Sequence, residues 1–439
     1  MQLRLLRYWD MVRTSYWFVP TIMVLATAAV LLITFAIDVA YRQPLQQALS
    51  WIAVKDGDGI RQTLATIAGS MITVAGVSFS ITIVTLSLAS QQLGPRIIRS
   101  FMRDRGNQIV LGVFFGTFFG NLLVLEIASG NFIPVVSVLV AWAMGLGSLG
   151  VLIYFIHHTA ELIQADNVIA AIGSDIDHTI RRLYREHPHV CEMPAEQVDA
   201  ALPDDFDTHA AFVQALRSGY VQTIDYDAMI ELAEAESLIL RANVSPGQFT
   251  LPHTPVFHVY PSEKCTEAIV GRMRELMAIG SVRTHTQDVE FGINQLVEMA
   301  VRALSPGIND PTTACRCIDR LAEAIAHVMR RHMPGSGRRD PKGALRLVTT
   351  DTGLTGLVDA SFNQIRQAGR GNVAVTIRLL EAIGMLGVGA CKRCHRAPLK
   401  RQADMIRDGA EQTITEPRDM DDVQRRYDMA IEALEAKGM

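Results

Sequence analysis

The chain has 439 residues, 49% of them hydrophobic and 20% charged, with a formal net charge of −4. That length accommodates two or three domains. Residues 1–160 hold ten Lys/Arg against six Asp/Glu, and the remainder is net −8, which argues against a nucleic-acid binder because phosphate contacts need a basic face.

Four apolar runs open the chain, at 16–37, 64–90, 109–127 and 132–156. At about 1.5 Å per residue each can cross a hydrocarbon core of roughly 30 Å. The first is too long for a signal-peptide core and reads as a retained span. Arg4, Arg7 and Arg13 precede it, and Arg96, Arg99, Arg103 and Arg105 follow the second run. The charges between spans one and two nearly cancel, and Ser129, Gly130 and Asn131 between spans three and four carry none. The positive-inside rule then puts both termini in the cytoplasm. Residues 44–54 read as a short helix at the outer interface, with Leu45, Leu49 and Ile52 on one face. Asp56 to Gly59 starts like a calcium loop, but Ile67 stands where the chelating Glu belongs, so a plain turn is read there.

The second span is rich in hydroxyls. No charge lies between Arg61 and Arg96, yet residues 63–90 hold ten Ser/Thr and two Gly. At heptad spacing Thr66, Thr73, Ser80 and Ser87 form one row, and Ser70, Val77, Val84 and Gln91 form the row beside it. Such a stripe either lets helices approach closely or faces a water path. In the second case these eight residues line a pore, and Arg96, Arg99 and Arg103 ring its inner mouth, favouring anions. Span three carries Gly112, Gly116 and Gly120 at i, i+4 and i+8, a stripe for close contact within or between subunits.

Beyond residue 156 the helical pattern continues as a stalk through Leu162, Ile169, Ile176 and Ile180. His157 and His158 sit at the inner end of span four, as an interfacial pair or as groups titrating near neutral pH. Residues 218–261 alternate strand-like and helical stretches about a Ser245-Pro246-Gly247 turn, with Tyr220, Gln222 and Ile224 read on one strand face. Two helices are predicted over 284–304 and 312–333, a polar loop over 335–342, and further helices over 376–414 and 417–436; residues 343–369 stay ambiguous. The reading is of a mainly α membrane protein: four transmembrane helices (1–157), a stalk helix and linker (158–205), a small β-rich cytosolic module (206–282) and a helical cytosolic region with helical hairpins (283–439).

Between the first two of those later helices lies Ser305-Pro306-Gly307-Ile308-Asn309-Asp310-Pro311. Ser-Pro-Gly stops the first helix, and Asp310 caps the next with Pro311 at its first position. Asn294, Arg302, Asn309 and Asp310 gather polar groups there, so a ligand site is the alternative to a purely structural role. The chain resembles a family of bacterial predicted membrane proteins filed as a domain of unknown function. The resemblance rests on TIAGSMITVAGVSFSITIVTLSLASQQLGPR (66–96), FMRDRGNQIVLGVFFGTF (101–118), YFIHH (154–158), SGYVQTID (218–225) and RTHTQDVEFGINQLVEMAVRALSPGINDPTTA (283–314). It implies an integral protein of a bacterial inner membrane and carries no activity to import.

No nucleophile–base pair, nucleotide motif or His-Glu-x-x-His is present. Cys391-Lys392-Arg393-Cys394-His395 matches a haem-attachment pattern, but haem is attached outside the cytoplasm. A zinc site would need Cys315 and Cys317 to complete it. All six Cys lie after residue 190 and read as reduced cytosolic thiols. No catalytic residue, cofactor or metal is assigned. The function expected is a homo-oligomeric ion channel or channel-like protein, with membrane lipids, copies of itself and ions as partners and no nucleic acid. The alternative is a membrane-anchored sensor or scaffold whose cytosolic part binds a ligand or partner.

Overall fold

A computed structural model describes residues 16–44, 57–93, 104–128, 132–162, 164–184, 202–331, 333, 335–350, 352–390 and 393–436, with second-span side chains described as far as Leu88. Arg4, Arg7, Arg13, Arg96, Arg99, Arg103, the turn at 129–131, most of the interfacial helix read at 44–54, Cys391 and the side chain of Gln91 lie outside the described residues. The chain divides into two compact units, residues 1–167 and 168–439.

The first unit holds α1 (Phe18–Ala40), α2 (Gly57–Leu93), α3 (Arg105–Ile127) and α4 (Val135–Leu162). All four are long and apolar enough to cross a membrane. A spanning segment has no water to satisfy its backbone, so helices bonded within themselves are the solution open to such sequences. At 37 residues α2 runs roughly 55 Å, more than a bilayer core, and so tilts or projects beyond it.

Polar side chains tie the helix ends together. The Asp38 carboxylate, 3% exposed, accepts from the backbone N–H groups of Val136 and Ser137 and from the Ser137 hydroxyl at 2.8–2.9 Å, so α1 caps the N-terminus of α4. Arg61 Nε donates at 2.6 Å to the Ala128 carbonyl, covering the C-terminal end of α3. That contact sets α2 antiparallel to α3. One apolar layer, of Leu31, Ile60, Leu64, Val124, Val135, Val138 and Ala141, lies toward the Asp38 end. A second, of Met71, Ala75, Val110, Phe114 and Phe155, lies midway along α2, in the first half of α3 and the last third of α4.

The glycine stripe of α3 faces α1 of the same chain. A Cβ at Gly112 would stand 2.5 Å from Met23 Sδ, one at Gly116 2.8 Å from Thr27 Oγ1, and one at Gly120 3.0 Å from Leu31 Cδ1. The matching order of partners makes the two helices parallel. Of the two readings of this stripe, packing within one subunit accounts for it.

The helix α5 (Ala165–Leu183) leads into the second unit, and α4 ends at Leu162, so the expected continuous stalk is two helices. Its apolar face is what the pattern recorded, but that face is buried. Ile169, Ile176 and Ile180 are at most 2% exposed, and Ile176 fills the space a side chain at Gly292 would need. Then follow α6 (Phe206–His209), β1 (Ala211–Gln214), β2 (Gly219–Ile224), α7 (Tyr226–Ala235), β3 (Ile239–Ala242), β4 (Phe249–Thr250), β5 (Pro255–Tyr260), α8 (Glu267–Glu275) and β6 (Met277–Gly280). The remainder is α9 (Val289–Ala303), α10 (Pro311–Met329), β7 (Gly337–Arg339), β8 (Leu345–Val348), α11 (Leu354–Ala368), α12 (Val373–Val388), α13 (Arg393–Glu411) and α14 (Pro417–Glu435).

The strands form a five-stranded sheet in the order β1-β5-β3-β8-β7 and a three-stranded sheet in the order β4-β2-β6. The β-rich module is therefore not confined to 206–282. The stretch read as a polar loop at 335–342 contains β7, and β8 pairs parallel to β3 with Leu240 opposite Leu347, both fully buried. Along β2 the register shifts between Val221 and Thr223 against β6, so Val221 and Ile224 both turn into the core. Strict alternation had grouped Ile224 with Tyr220 and Gln222; the extra residue of the bulge breaks that period.

Candidate functional site

The burial of α2 separates two faces. Ile60, Leu64, Ala68, Met71, Ala75, Ser78, Thr82 and Thr85 are buried against the chain's own helices. Thr66, Ser70, Thr73, Val77, Ser80, Val84 and Ser87 are all exposed, on the side turned away from them. Gly69 and Gly76 lie on the same outward side, and a Cβ at either would meet nothing within 4 Å. The hydroxyl stripe is thus not a packing device within this four-helix unit. Thr66 and Thr73 donate to the carbonyls of Gln62 and Gly69 one turn back, at 2.7 and 2.9 Å, so these hydroxyls need no partner to be stable there. The outward faces of the neighbouring spans differ in chemistry. On α1 they show Leu25, Leu32 and Ile33, and on α4 Leu146, Ile153 and Ile156, each more than 60% exposed. Large branched side chains suit lipid, while a stripe of Gly, Ser and Thr suits another helix or water.

At the opposite end from Asp38, two of the quoted motifs meet. Asp104 caps α3, accepting from the Gly106 and Asn107 N–H groups at 3.3 and 3.0 Å, and its other contact is His158 Nε2 at 2.8 Å. His158 stacks on Tyr154 with ring centroids 5.2 Å apart. Gly106 is required there, since a Cβ would come within 2.5 Å of His158 Nε2. His157 instead pairs with Glu161 at 3.2 Å on the surface. Only helix register, invisible in a linear reading, separates the roles of the two histidines.

In the second unit Asp310 caps α10, accepting from the Thr313 N–H at 3.1 Å and the Thr313 hydroxyl at 2.6 Å. The Thr313 hydroxyl bond holds its carboxyl below the usual range, against the opposing effect of burial. Asn309 takes a left-handed φ of 50° at the turn. Asn294 donates to Glu290 at 3.2 Å, on the turn of α9 that starts the helix, whereas Asp310 follows its end. Asn294 and Asp310 therefore do not form one constellation.

A cleft of about 690 Å³ lies elsewhere in this unit. The N-terminal ends of α7 (Asp225, Tyr226, Asp227), α9 (Asp288, Glu290) and α11 (Gly353) open into it. Asp225 and Asp288 are occupied as caps, and Asp288 also holds Arg283 through two bonds of 2.8 and 2.9 Å. The Arg338 guanidinium stacks 4.0 Å above the Tyr226 ring. Sequence reading missed this cleft because its walls come from segments more than 100 residues apart. Gln287 was the available signal, a polar residue just before a helix; it bonds both backbone groups of Ile224 and holds α9 against β2.

Among the described residues no three His, Cys, Asp or Glu side chains converge as a metal ion requires. Cys394 is exposed and His395 buried, and Cys315 and Cys317 lie on α10 without joining them. Burial pushes the Cys317 thiol up to about 12.

The comparisons agree with this architecture. The chain is similar to uncharacterised proteins of Mycobacterium bovis and Mycobacterium tuberculosis, at 28% identity over 421 residues, covering 89% of this chain and 78% of each relative. No solved structure matches it. Residues 13–385 match the family described as Predicted membrane protein (DUF2254). That match covers most of the sequence, and the chain, with four helices apolar and long enough to cross a membrane, belongs to the DUF2254 family of predicted membrane proteins.

Proposed function

We propose that the protein is a homo-oligomeric ion channel or channel-like protein of a bacterial inner membrane, with both termini cytoplasmic. Copies associate through the outward face of α2, and Thr66, Ser70, Thr73, Val77, Ser80, Val84, Ser87 and Gln91 line the path. Arg96, Arg99 and Arg103 form its inner mouth, with ions and membrane lipids as the other partners. The observation that supports this reading is the exposure of the whole described stripe on a face its own helices leave uncovered. Hydroxyls facing lipid gain nothing, whereas hydroxyls around a shared axis hydrate a path. The test is ion flux through the purified full chain in liposomes. Thr73→Leu and Ser80→Leu are expected to abolish flux while the oligomer persists. Flux absent from the unsubstituted protein, or unchanged by either substitution, contradicts the reading.

The cleft favours a second reading, a membrane-anchored sensor whose soluble unit binds a small ligand. Its volume falls within the range of ligand pockets. It predicts that a blocking substitution such as Ser245→Trp changes the response of the whole protein to a solute without altering its assembly.

A further inference from the structure

Beyond its second apolar layer the interior of the first unit turns polar. Inward from the layer of Met71, Ala75, Val110, Phe114 and Phe155, the buried residues of α2 become Ser78, Thr82 and Thr85, each at most 4% exposed. On α3 the same step leads to Asn107, 2% exposed, and on α4 to Thr159, 5% exposed. Just before α1 it leads to Tyr16, 7% exposed.

These polar groups are not satisfied by one another. Both amide atoms of Asn107, the hydroxyl of Thr159 and the hydroxyl of Tyr16 are buried with no hydrogen-bond partner. An amide that lacks both a donor and an acceptor partner can be served by water, which supplies both, at a site with several polar neighbours. Lipid supplies neither. The mouth of this region is where Asp104 and His158 meet at 2.8 Å, each side chain 20% exposed.

We propose that the end of the bundle bearing Asn107 and Thr159 is a water-binding crevice between spans two, three and four, closed at its mouth by the Asp104–His158 pair. Water enters as the inner ends of the helices part, bonds Asn107, Thr159 and the threonines of α2, and stops at the layer of Ala75, Val110 and Phe114. The crevice lies on the side of α2 opposite the proposed path, so it stands whether or not that path conducts.

The experiment uses the full chain, its native cysteines replaced, in lipid nanodiscs. Single cysteines at Thr82, Asn107 and Thr159, with Ala75 and Val110 as controls in the apolar layer, are reacted with a small charged methanethiosulfonate. Thr82→Cys and Thr159→Cys are near-isosteric, so the test does not depend on Asn107→Cys folding. The three crevice positions are expected to react and the two controls to stay protected. Adding His158→Ala is expected to speed the crevice reactions about tenfold or more, the change in an opening equilibrium that losing a hydrogen bond to a charged group produces. Asp104→Asn, which keeps the helix cap, is expected to act in the same direction. Equal protection of all five positions, or crevice rates unmoved by both mouth substitutions, overturns the proposal.

Discussion

Gly116→Leu and Gly76→Leu place the same side chain on two membrane helices in opposite surroundings. At Gly116 even the first carbon meets Thr27 Oγ1 at 2.8 Å, with Thr27 Cβ at 3.7 Å and the Met23 carbonyl oxygen at 3.9 Å behind it. Thr27 has only a short side chain to move, so a branched side chain forces α1 and α3 apart. Overpacking of this kind costs about 1–3 kcal/mol. At about 2–4 °C per kcal/mol for a unit of this size, Tm falls by roughly 2–12 °C. At Gly76 nothing lies within 4 Å, and leucine favours helix over glycine by about 0.8–1 kcal/mol. The Tm of the chain should therefore hold or rise slightly, while any oligomer formed through this face is lost. Thermal unfolding monitored by size-exclusion chromatography in detergent reads both quantities. An unchanged Tm in Gly116→Leu would refute the assignment of the glycine stripe to the α1–α3 contact. A Gly76→Leu oligomer of unchanged size would refute the assignment of this face to an interface between copies.

Asp310→Ala should lower stability by about 0.5–2 kcal/mol, with Asp310→Asn and Asp310→Ser nearly neutral, as denaturant unfolding will show. The Asp310 carboxyl is lowered in the folded state, so its stabilisation is complete above the ordinary carboxylate range and is lost as pH falls through the lowered folded value. An acid unfolding curve of Asp310→Asn should lack that component. Asp38→Ala removes three bonds to the start of α4 and should cost about as much as other lost caps, roughly 0.5–2 kcal/mol, or more because the site is buried. Iodoacetamide at pH 8 should label exposed Cys394 in the folded chain and leave Cys317, with its thiol near 12, unlabelled until unfolding; peptide mass spectrometry separates the two.

Patterns that act locally were legible. The four spans follow from long apolar runs, and the Asp310 cap follows from Ser-Pro-Gly and Asp-Pro within one seven-residue stretch. What pairs distant segments was not. The Asp104–His158 contact joins residues 54 apart, and β8 joins β3 across more than 100 residues in a segment with no period of its own. The bulge in β2 defeated alternation because one extra residue inverts every later side chain. The stripe on α2 was visible as a period, but its direction depends on which other face of the helix is buried. Ile60, Leu64, Met71 and Ala75 form that face, and only the packed bundle identifies them as the inner side.

Cysteine scanning of α2 in membranes separates a water-lined stripe from a dry one. In a background without native cysteines, residues 66, 73, 80 and 87 are replaced singly by Cys, with 72, 79 and 86 as the comparison series. The outward apolar positions Ile72 and Phe79 are 40% and 38% exposed in one chain, so exposure alone does not separate the two series, whereas water does. If α2 lines a water path, a small water-soluble thiol reagent modifies the hydroxyl series throughout its length and spares the comparison series. Equal protection of both series would show the stripe against lipid or a dry helix contact, and would contradict the path.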